Sequence, residues 1–230
     1  MAWEIGTSVF VFASAVADSM ISSAVLSEGH ALLVDPGVLE SEVERIASFV
    51  EARGAAVETI VLTHHHWDHV LASSRWPSAR RLAHPKLEPL VLEQQANPQY
   101  EAMLRSSLPQ VPAQWRLLPI EPLASRSIRI GVLDGTLLEL PGHAPDALGL
   151  LLPSERVLFS TDMLDPNEWP LPDHDRELYL QSLARIEALV QSGQVEHVVP
   201  GHGWPLLGKH AVLTQIARDR SYLQEQSLTG

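Results

Sequence analysis

Between Thr63 and His69 the chain reads Thr-His-His-His-Trp-Asp-His, which concentrates imidazoles and a carboxylate in one short segment. His64 and His66 are one residue apart, so in extended backbone they project to the same side while His65 points away. That spacing suits two imidazoles on one metal ion. Asp68 and His69 follow at once, and a hard carboxylate oxygen beside a further imidazole completes the mixed N/O donor set favoured by Zn²⁺, Fe or Mn²⁺. The segment by itself also fits a solvated polar loop in which Asp68 caps a helix. Donors elsewhere in the chain must decide.

Three more donors stand at the ends of apolar runs beside Gly or a tight turn: Leu140-Pro141-Gly142-His143, Phe159-Ser160-Thr161-Asp162 and Val198-Val199-Pro200-Gly201-His202. Strand ends followed by turns are where loops present functional groups. Upstream, Asp35 in Val34-Asp35-Pro36-Gly37 either orients a ligand histidine through its second ring nitrogen or serves only the turn before Pro36. His30, His65, His84, His174, His197 and His210 have no motif support as ligands and are assigned no role. Trp67, Trp169 and Trp204 lie beside or shortly after the motif residues and can wall an apolar substrate pocket or pack in the core.

The elements that must carry these groups follow from periodicity. Residues 8–16, 20–27 and 30–34 are rich in Val, Ile, Leu and Phe, with turn signals at Asp18 and Glu28-Gly29, and they read as hairpin-connected strands. Leu39–Arg53 places Leu39, Val43, Ile46, Ala47 and Val50 at helical spacing, and Gly54 stops it. Thr59–Leu62 is a short buried strand that delivers the chain into the histidine segment. The section Pro85–Trp115 carries Pro, Gln and Asn around two weak helical patterns and can form a cap over the site. Strands return at 128–133, 136–140, 147–152 and 157–160, followed by a helix at 174–191, a strand at 195–199 and a final helix from Pro205 to Gln226. Two comparable sets of strands and helices, with no repeat or linker, predict one domain over residues 1–230 built as packed layers.

The series His64-x-His66-x-Asp68-His69, Gly142-His143, Asp162 and Gly201-His202, with Val34-Asp35-Pro36-Gly37 ahead of it, resembles the motifs of the metallo-β-lactamase superfamily from about residue 8 to residue 204. The resemblance implies an α/β fold, a four-layer αββα sandwich with the metal site at the edge between two mixed sheets. It also implies two divalent metal ions, Zn²⁺ first and Fe or Mn as alternatives. His64, His66 and His143 would hold one, Asp68, His69 and His202 the other, and Asp162 would bridge them. A hydroxide between two such ions is a strong nucleophile at neutral pH, because coordination lowers the pKa of water from 15.7 to about 7. Asp68 is then the catalytic residue, binding metal and holding the nucleophile through a hydrogen bond. The family often has Gly before the bridging Asp, whereas Thr161 stands here and alters the local backbone freedom.

Composition narrows the substrate. The net charge is −12 with only Lys86 and Lys209 as lysines, so no basic stripe is available for a row of phosphates and nucleic acid is not the expected partner. The chain has no cysteine, which excludes thiolate metal sites and a cysteine nucleophile. No apolar stretch approaches the roughly 20 residues of a membrane span, and the N-terminal segment lacks a positive n-region and reads as strands, so no membrane contact and a cytoplasmic location are expected. Relative to glyoxalase II proteins, the stretch after His202 is short and holds only Lys209, Arg218 and Arg220 as basic residues, which argues against dedicated glutathione-thioester hydrolysis. The exported zinc β-lactamases are disfavoured by the same N-terminus. The first expectation is hydrolysis of a small ester-like molecule, a thioester or lactone. The alternatives are a mononuclear iron oxygenase resembling the persulfide dioxygenases, a phosphodiesterase-like or β-lactamase-like hydrolase, and a purely structural or regulatory metal protein.

Overall fold

Residues of the second strand alternate Val9, Phe10, Val11, Phe12, and all four are buried, so the sheet that holds them must be covered on both faces. In the computed structural model, which describes residues 2–108, 117–121, 123 and 125–226, a second sheet covers one face and helices cover the other. The first sheet contains β1 (Ala2–Ile5), β2 (Val9–Ala13), β3 (Ile21–Ser27), β4 (His30–Val34), β5 (Ala56–Val61) and β6 (Arg80–Leu82) in chain order. It is antiparallel up to β4 and parallel from β4 to β6. The second contains β7 (Ser127–Ile130), β8 (Leu133–Glu139), β9 (Leu148–Leu152), β10 (Val157–Phe159) and β11 (His197–Val199), antiparallel except for the parallel pair β10–β11.

The helices are α1 (Glu40–Glu51), α2 (Trp67–Val70), α3 (Leu87–Ala96), α4 (Tyr100–Ser107), α5 (Arg176–Gln191) and α6 (Lys209–Glu225). Val11, Leu32 and Val61 of the first sheet meet Leu137, Leu150 and Phe159 of the second in a central apolar layer. Ile46 and Val50 of α1 with Leu87 and Val91 of α3 cover the outer face of the first sheet, beside Phe10, Phe12, Leu33 and Ile60. Leu183, Ile186 and Val190 of α5 with Val212 and Ile216 of α6 cover the second, against Leu151, Leu158 and Val198. Each such side chain contributes roughly 1.5–3 kcal/mol on burial, so the sandwich is held by these three apolar layers. The architecture is the expected αββα sandwich of two mixed sheets. Among the described residues no helix is long and apolar enough to cross a membrane.

Several boundaries differ from the periodic pattern. The runs 128–133 and 136–140 form one hairpin whose turn is at Gly131-Val132, although Asp134-Gly135 offers the stronger turn signal. Gly131 has φ 54°, and a Cβ there would press on the Ser27 backbone, so this turn beside β3 requires glycine. The first run stops at Ala13, because the backbone turns through Ala17, Asp18 and Ser19 at positive φ. β6 has no apolar signature; its Arg81 is buried and donates to the carbonyls of Ala79, Ser73 and Trp76. The last helix begins at Lys209 and not at Pro205, because Leu206 exchanges backbone hydrogen bonds of 2.8 and 3.0 Å with Val198 and extends the sheet edge first. In the section Pro85–Trp115, α3 and α4 occupy 87–107, and residues 109–116 lie outside the described residues.

Candidate metal centre

Parallel pairing brings the chemistry to one edge. Val34 pairs with Val61, so the chain leaving β4 reaches Asp35 where the chain leaving β5 reaches Thr63, and Thr63 N–H donates to Asp35 Oδ1 at 2.9 Å. In the other sheet Phe159 pairs with Val199, and three residues beyond each partner stand Asp162 and His202. Gly201 packs its backbone against the Asp162 carboxylate and the His69 ring, leaving no room for a Cβ. His143 follows Gly142, which packs in the same way on the Tyr179 backbone. Asp68 and His69 lie in the single turn of α2 that His66 opens.

All seven donors converge. Donor atoms of His64, His66, His143 and Asp162 lie within 4.8 Å of one another, and so do those of Asp68, His69 and His202. Asp162 stands between the groups: Oδ2 is 3.3 Å from Nε2 of His64, His143 and His202, and Oδ1 is 3.2 Å from Nε2 of His69. Asp68 Oδ2 lies 3.6 Å from His69 Nε2 and 3.5 Å from His202 Nε2.

Hydrogen bonds on the outer side of the rings set the tautomers. His143 Nδ1–H donates to the Leu171 carbonyl at 2.9 Å and His202 Nδ1–H to the Ala17 carbonyl at 3.0 Å, since a carbonyl can only accept. His69 Nδ1–H donates to Asp35 Oδ2 at 2.8 Å. Thr63 Oγ1 spends its one hydrogen on Asp35 Oδ2 at 2.6 Å, so it accepts from His64 Nδ1–H at 3.1 Å. Four Nε2 atoms therefore face inward as the atoms that would bind metal, and the carboxylate or carbonyl partners of His69, His143 and His202 make those three better ligands. His66 faces the cluster with Nδ1, 3.1 Å from His143 Nε2. Fully buried His64 Nε2 and Asp162 Oδ1 have no hydrogen-bond partner. So many imidazole and carboxylate donors packed into one largely buried cluster need cations between them, protons or metal, and the set fits divalent metal ions of the N/O-loving kind.

Protonation in the metal-free protein follows the same geometry. Burial opposes charge on His202, but the Asp162 carboxylate overrides it and raises this imidazole to about 9. His69 is likewise held well above its ordinary value, burial being outweighed by Asp162, Asp68 and Asp35. Burial and the neighbouring imidazoles push His64 and His66 down. Asp162, despite burial, is held well below the carboxylate range by His69, His202 and His64. Metal entry must displace the His202 proton. The affinity of the metal-free protein should therefore rise with pH up to about 9 and fall about tenfold per unit below that for each proton displaced. Competition with a chromophoric chelator across this range measures it, and a flat profile would show that His202 surrenders no proton.

Asp35 is a positioning residue, touching His69 and Thr63. It adopts φ 46°, and Thr161 adopts φ 58°, a region a β-branched side chain rarely enters. His65, assigned no role from sequence, hydrogen-bonds through Nδ1 to Asp146 Oδ1 at 2.8 Å, and Asp146 is wholly buried. This pair straps the histidine loop to the turn before β9. Asp146 carried no spacing signal, because its partner is distant in sequence. A cavity of about 330 Å³ opens over the centre, lined by His66, Asp68, His143, Asp162 and His202 with Trp67, Trp169, Pro170 and Leu171 among its walls. Trp204 is not part of it and lies with Trp3 and Leu207 on another surface. None of residues 85–108 lines the cavity.

A sandwich of this layering, with a histidine and aspartate cluster at the strand ends, defines a class of metal-binding proteins. The sequence profile of the Metallo-beta-lactamase superfamily matches residues 17–202, and the chain belongs to that superfamily. It is similar to the hydroxyacylglutathione hydrolase GloC of Haemophilus influenzae, 25% identical over 87% of this chain and 90% of that one. A hydroxyacylglutathione hydrolase of Aeromonas hydrophila is 43% identical over 27% of this chain and 24% of its own length. Among solved structures, a metallo-beta-lactamase from Pontibacter korlensis superposes with TM-score 0.73 at 16% identity, covering 96% of this chain and 98% of that one. A metallo-beta-lactamase family protein from Thermus thermophilus superposes with TM-score 0.71 at 19% identity, covering 95% of this chain and 80% of that one. These superpositions establish the fold.

Proposed function

We propose that the chain is a dinuclear zinc hydrolase of a small ester-like substrate, a thioester or lactone. The observation that carries this reading is Asp162, whose two oxygens face donor groups on either side of it. Bound divalent ions would lower the pKa of water and polarise the attacked carbonyl. The chain's own residues supply the remainder. His64, His66, His143, Asp68, His69 and His202 would hold the ions, with Asp162 shared between them. Asp68 lines the cavity and presents a carboxylate that can accept a hydrogen bond from the attacking water and take its proton. Trp67, Pro170 and Leu171 restrict water around the acyl group. Water adds to the carbonyl carbon, the bond to sulfur or ring oxygen breaks, and the products are an acid and a thiol or hydroxyl. The relatives named for hydroxyacylglutathione hydrolysis support a thioester.

The test is metal analysis of protein purified without added metal, followed by a panel of thioesters, lactones and phosphodiesters with an oxygen electrode alongside. Close to two ions per chain, ester turnover and no oxygen uptake are expected. A stoichiometry fixed at one, or persulfide-dependent oxygen uptake by the iron-loaded protein without ester turnover, would overturn the reading.

A further inference from the structure

The cavity over the metal centre is lined by six carboxylate side chains, Asp18, Asp68, Asp162, Asp165, Glu168 and Asp173, and among the described residues by no lysine or arginine. Two of them, Asp68 and Asp162, belong to the donor groups. The other four come from separate stretches of chain: Asp18 from the β2–β3 connection, Asp165 and Glu168 from the segment after β10, and Asp173 from the approach to α5. Asp18, Glu168 and Asp173 are exposed, whereas Asp68 is buried, so they form the outer part of the cavity's lining. Burial raises Asp165 and Glu168 above their ordinary values, and for Glu168 the repulsion of Asp18 and Asp165 adds to it.

Arg218 lies against the backbone of this rim, but its guanidinium does not face the cavity. It donates to the backbone carbonyls of Asp165, Pro166 and Glu168 at 3.3, 3.2 and 2.6 Å and lies 4.4 Å from the centroid of the Trp169 ring. It braces the loop and does not line the cavity. That the cavity is a substrate path and not a solvated acidic face follows independently from its floor, which is made by the donor residues His66, Asp68, His143, Asp162 and His202, with the buried Oδ1 of Asp162 lacking a hydrogen-bond partner. A glutathione tail, with two carboxylates and one ammonium, would enter this rim with a net negative charge and meet repulsion.

We propose that the substrate's tail carries a positive charge, an amine or quaternary ammonium, received by Asp18, Asp165, Glu168 and Asp173 while the acyl group lies against Trp67 and Leu171. The proposal rests on the hydrolase reading above and names its substrate class: cationic thioesters or lactones, with anionic ones turned away. Attraction to several carboxylates around one cavity raises the local concentration of the cation and its capture rate, and salt weakens both.

Three thioesters with the same acyl group test it: S-butyrylthiocholine, the neutral S-ethyl thiobutyrate and the anionic S-butyryl-3-mercaptopropionate, followed by thiol release. kcat/KM should fall in that order, with at least about tenfold between cation and anion at low salt, and the gap should shrink at high salt. In the double variant Glu168→Gln, Asp173→Asn the cation-to-anion ratio should drop several-fold, with bound metal measured to confirm an intact centre. A second arm measures binding of the uncleavable S-butyl thioethers of thiocholine and of 3-mercaptopropionate to the metal-loaded protein by calorimetry. Thioester turnover with equal or inverted charge preference overturns the proposal and leaves the hydrolase reading standing. No turnover of any ester, with tighter binding of the cationic thioether, overturns the hydrolase reading and supports the cation site. Equal binding of the two thioethers overturns the cation site whatever is hydrolysed.

Discussion

Asp162→Asn should reduce bound metal from about two ions per chain to at most one and lower ester turnover on the order of 10³-fold, since losing a shared anionic ligand forfeits several kcal/mol of charge stabilisation at about 1.4 kcal/mol per decade. The reason lies in the position of this side chain. Its oxygens lie within 3.3 Å of the Nε2 atoms of His64, His69, His143 and His202, a position that no other carboxylate among the described residues shares. The substitution keeps the shape against Gly201, so the fold should survive. A readout independent of activity is available in the metal-free protein. His202 is raised to about 9 against the cost of burial chiefly by Asp162, so its titration, followed by NMR, should move down in the variant. Retention of two ions with unchanged His202 titration would mean that Asp162 is not the shared ligand.

How much of this was legible in the sequence depended on whether a residue lies where chain geometry is local. His64, His66, Asp68 and His69 are neighbours, and His143, Asp162 and His202 each end an apolar run, so strand periodicity marked all of them. Their convergence follows from two parallel pairs, β4–β5 and β10–β11, which bring strand ends to one edge. Asp35 was legible only as one of two readings, and its bonds to His69 and Thr63 select the positioning one. Asp146 was invisible, because its partner His65 is 81 residues away and neither has motif support as a ligand. The acidic rim was invisible for a similar reason: Asp18, Asp165, Glu168 and Asp173 look like ordinary loop carboxylates until the fold sets them around one cavity. The break between the runs 128–133 and 136–140 differs from the observed hairpin turn at Gly131, whose positive φ and close approach to the Ser27 backbone arise from the fold and not from the local pattern.

Asp68→Asn should act on turnover and hardly on substrate binding. Asp68 lies at the mouth of the second donor group, 3.5 and 3.6 Å from the His202 and His69 nitrogens, and it lines the cavity in which the ester must sit. Its carboxylate can both bind metal and hold the attacking water, whereas asparagine keeps the outline and loses the charge and the proton-accepting capacity. The interaction removed belongs to the nucleophile, which gains or loses charge only as the reaction proceeds, so the change falls on the transition state and not on the ground-state complex. A drop in kcat on the order of 10²–10⁴-fold is expected, the range for loss of a general base, with KM altered no more than about threefold. Metal content must be measured on the same sample. If both ions remain and kcat falls alone, Asp68 is the proton acceptor. If the ion beside His69 and His202 is lost and activity returns when excess metal is added, Asp68 is a ligand only. If KM rises with kcat unchanged, it contacts substrate and the proton-acceptor role is wrong.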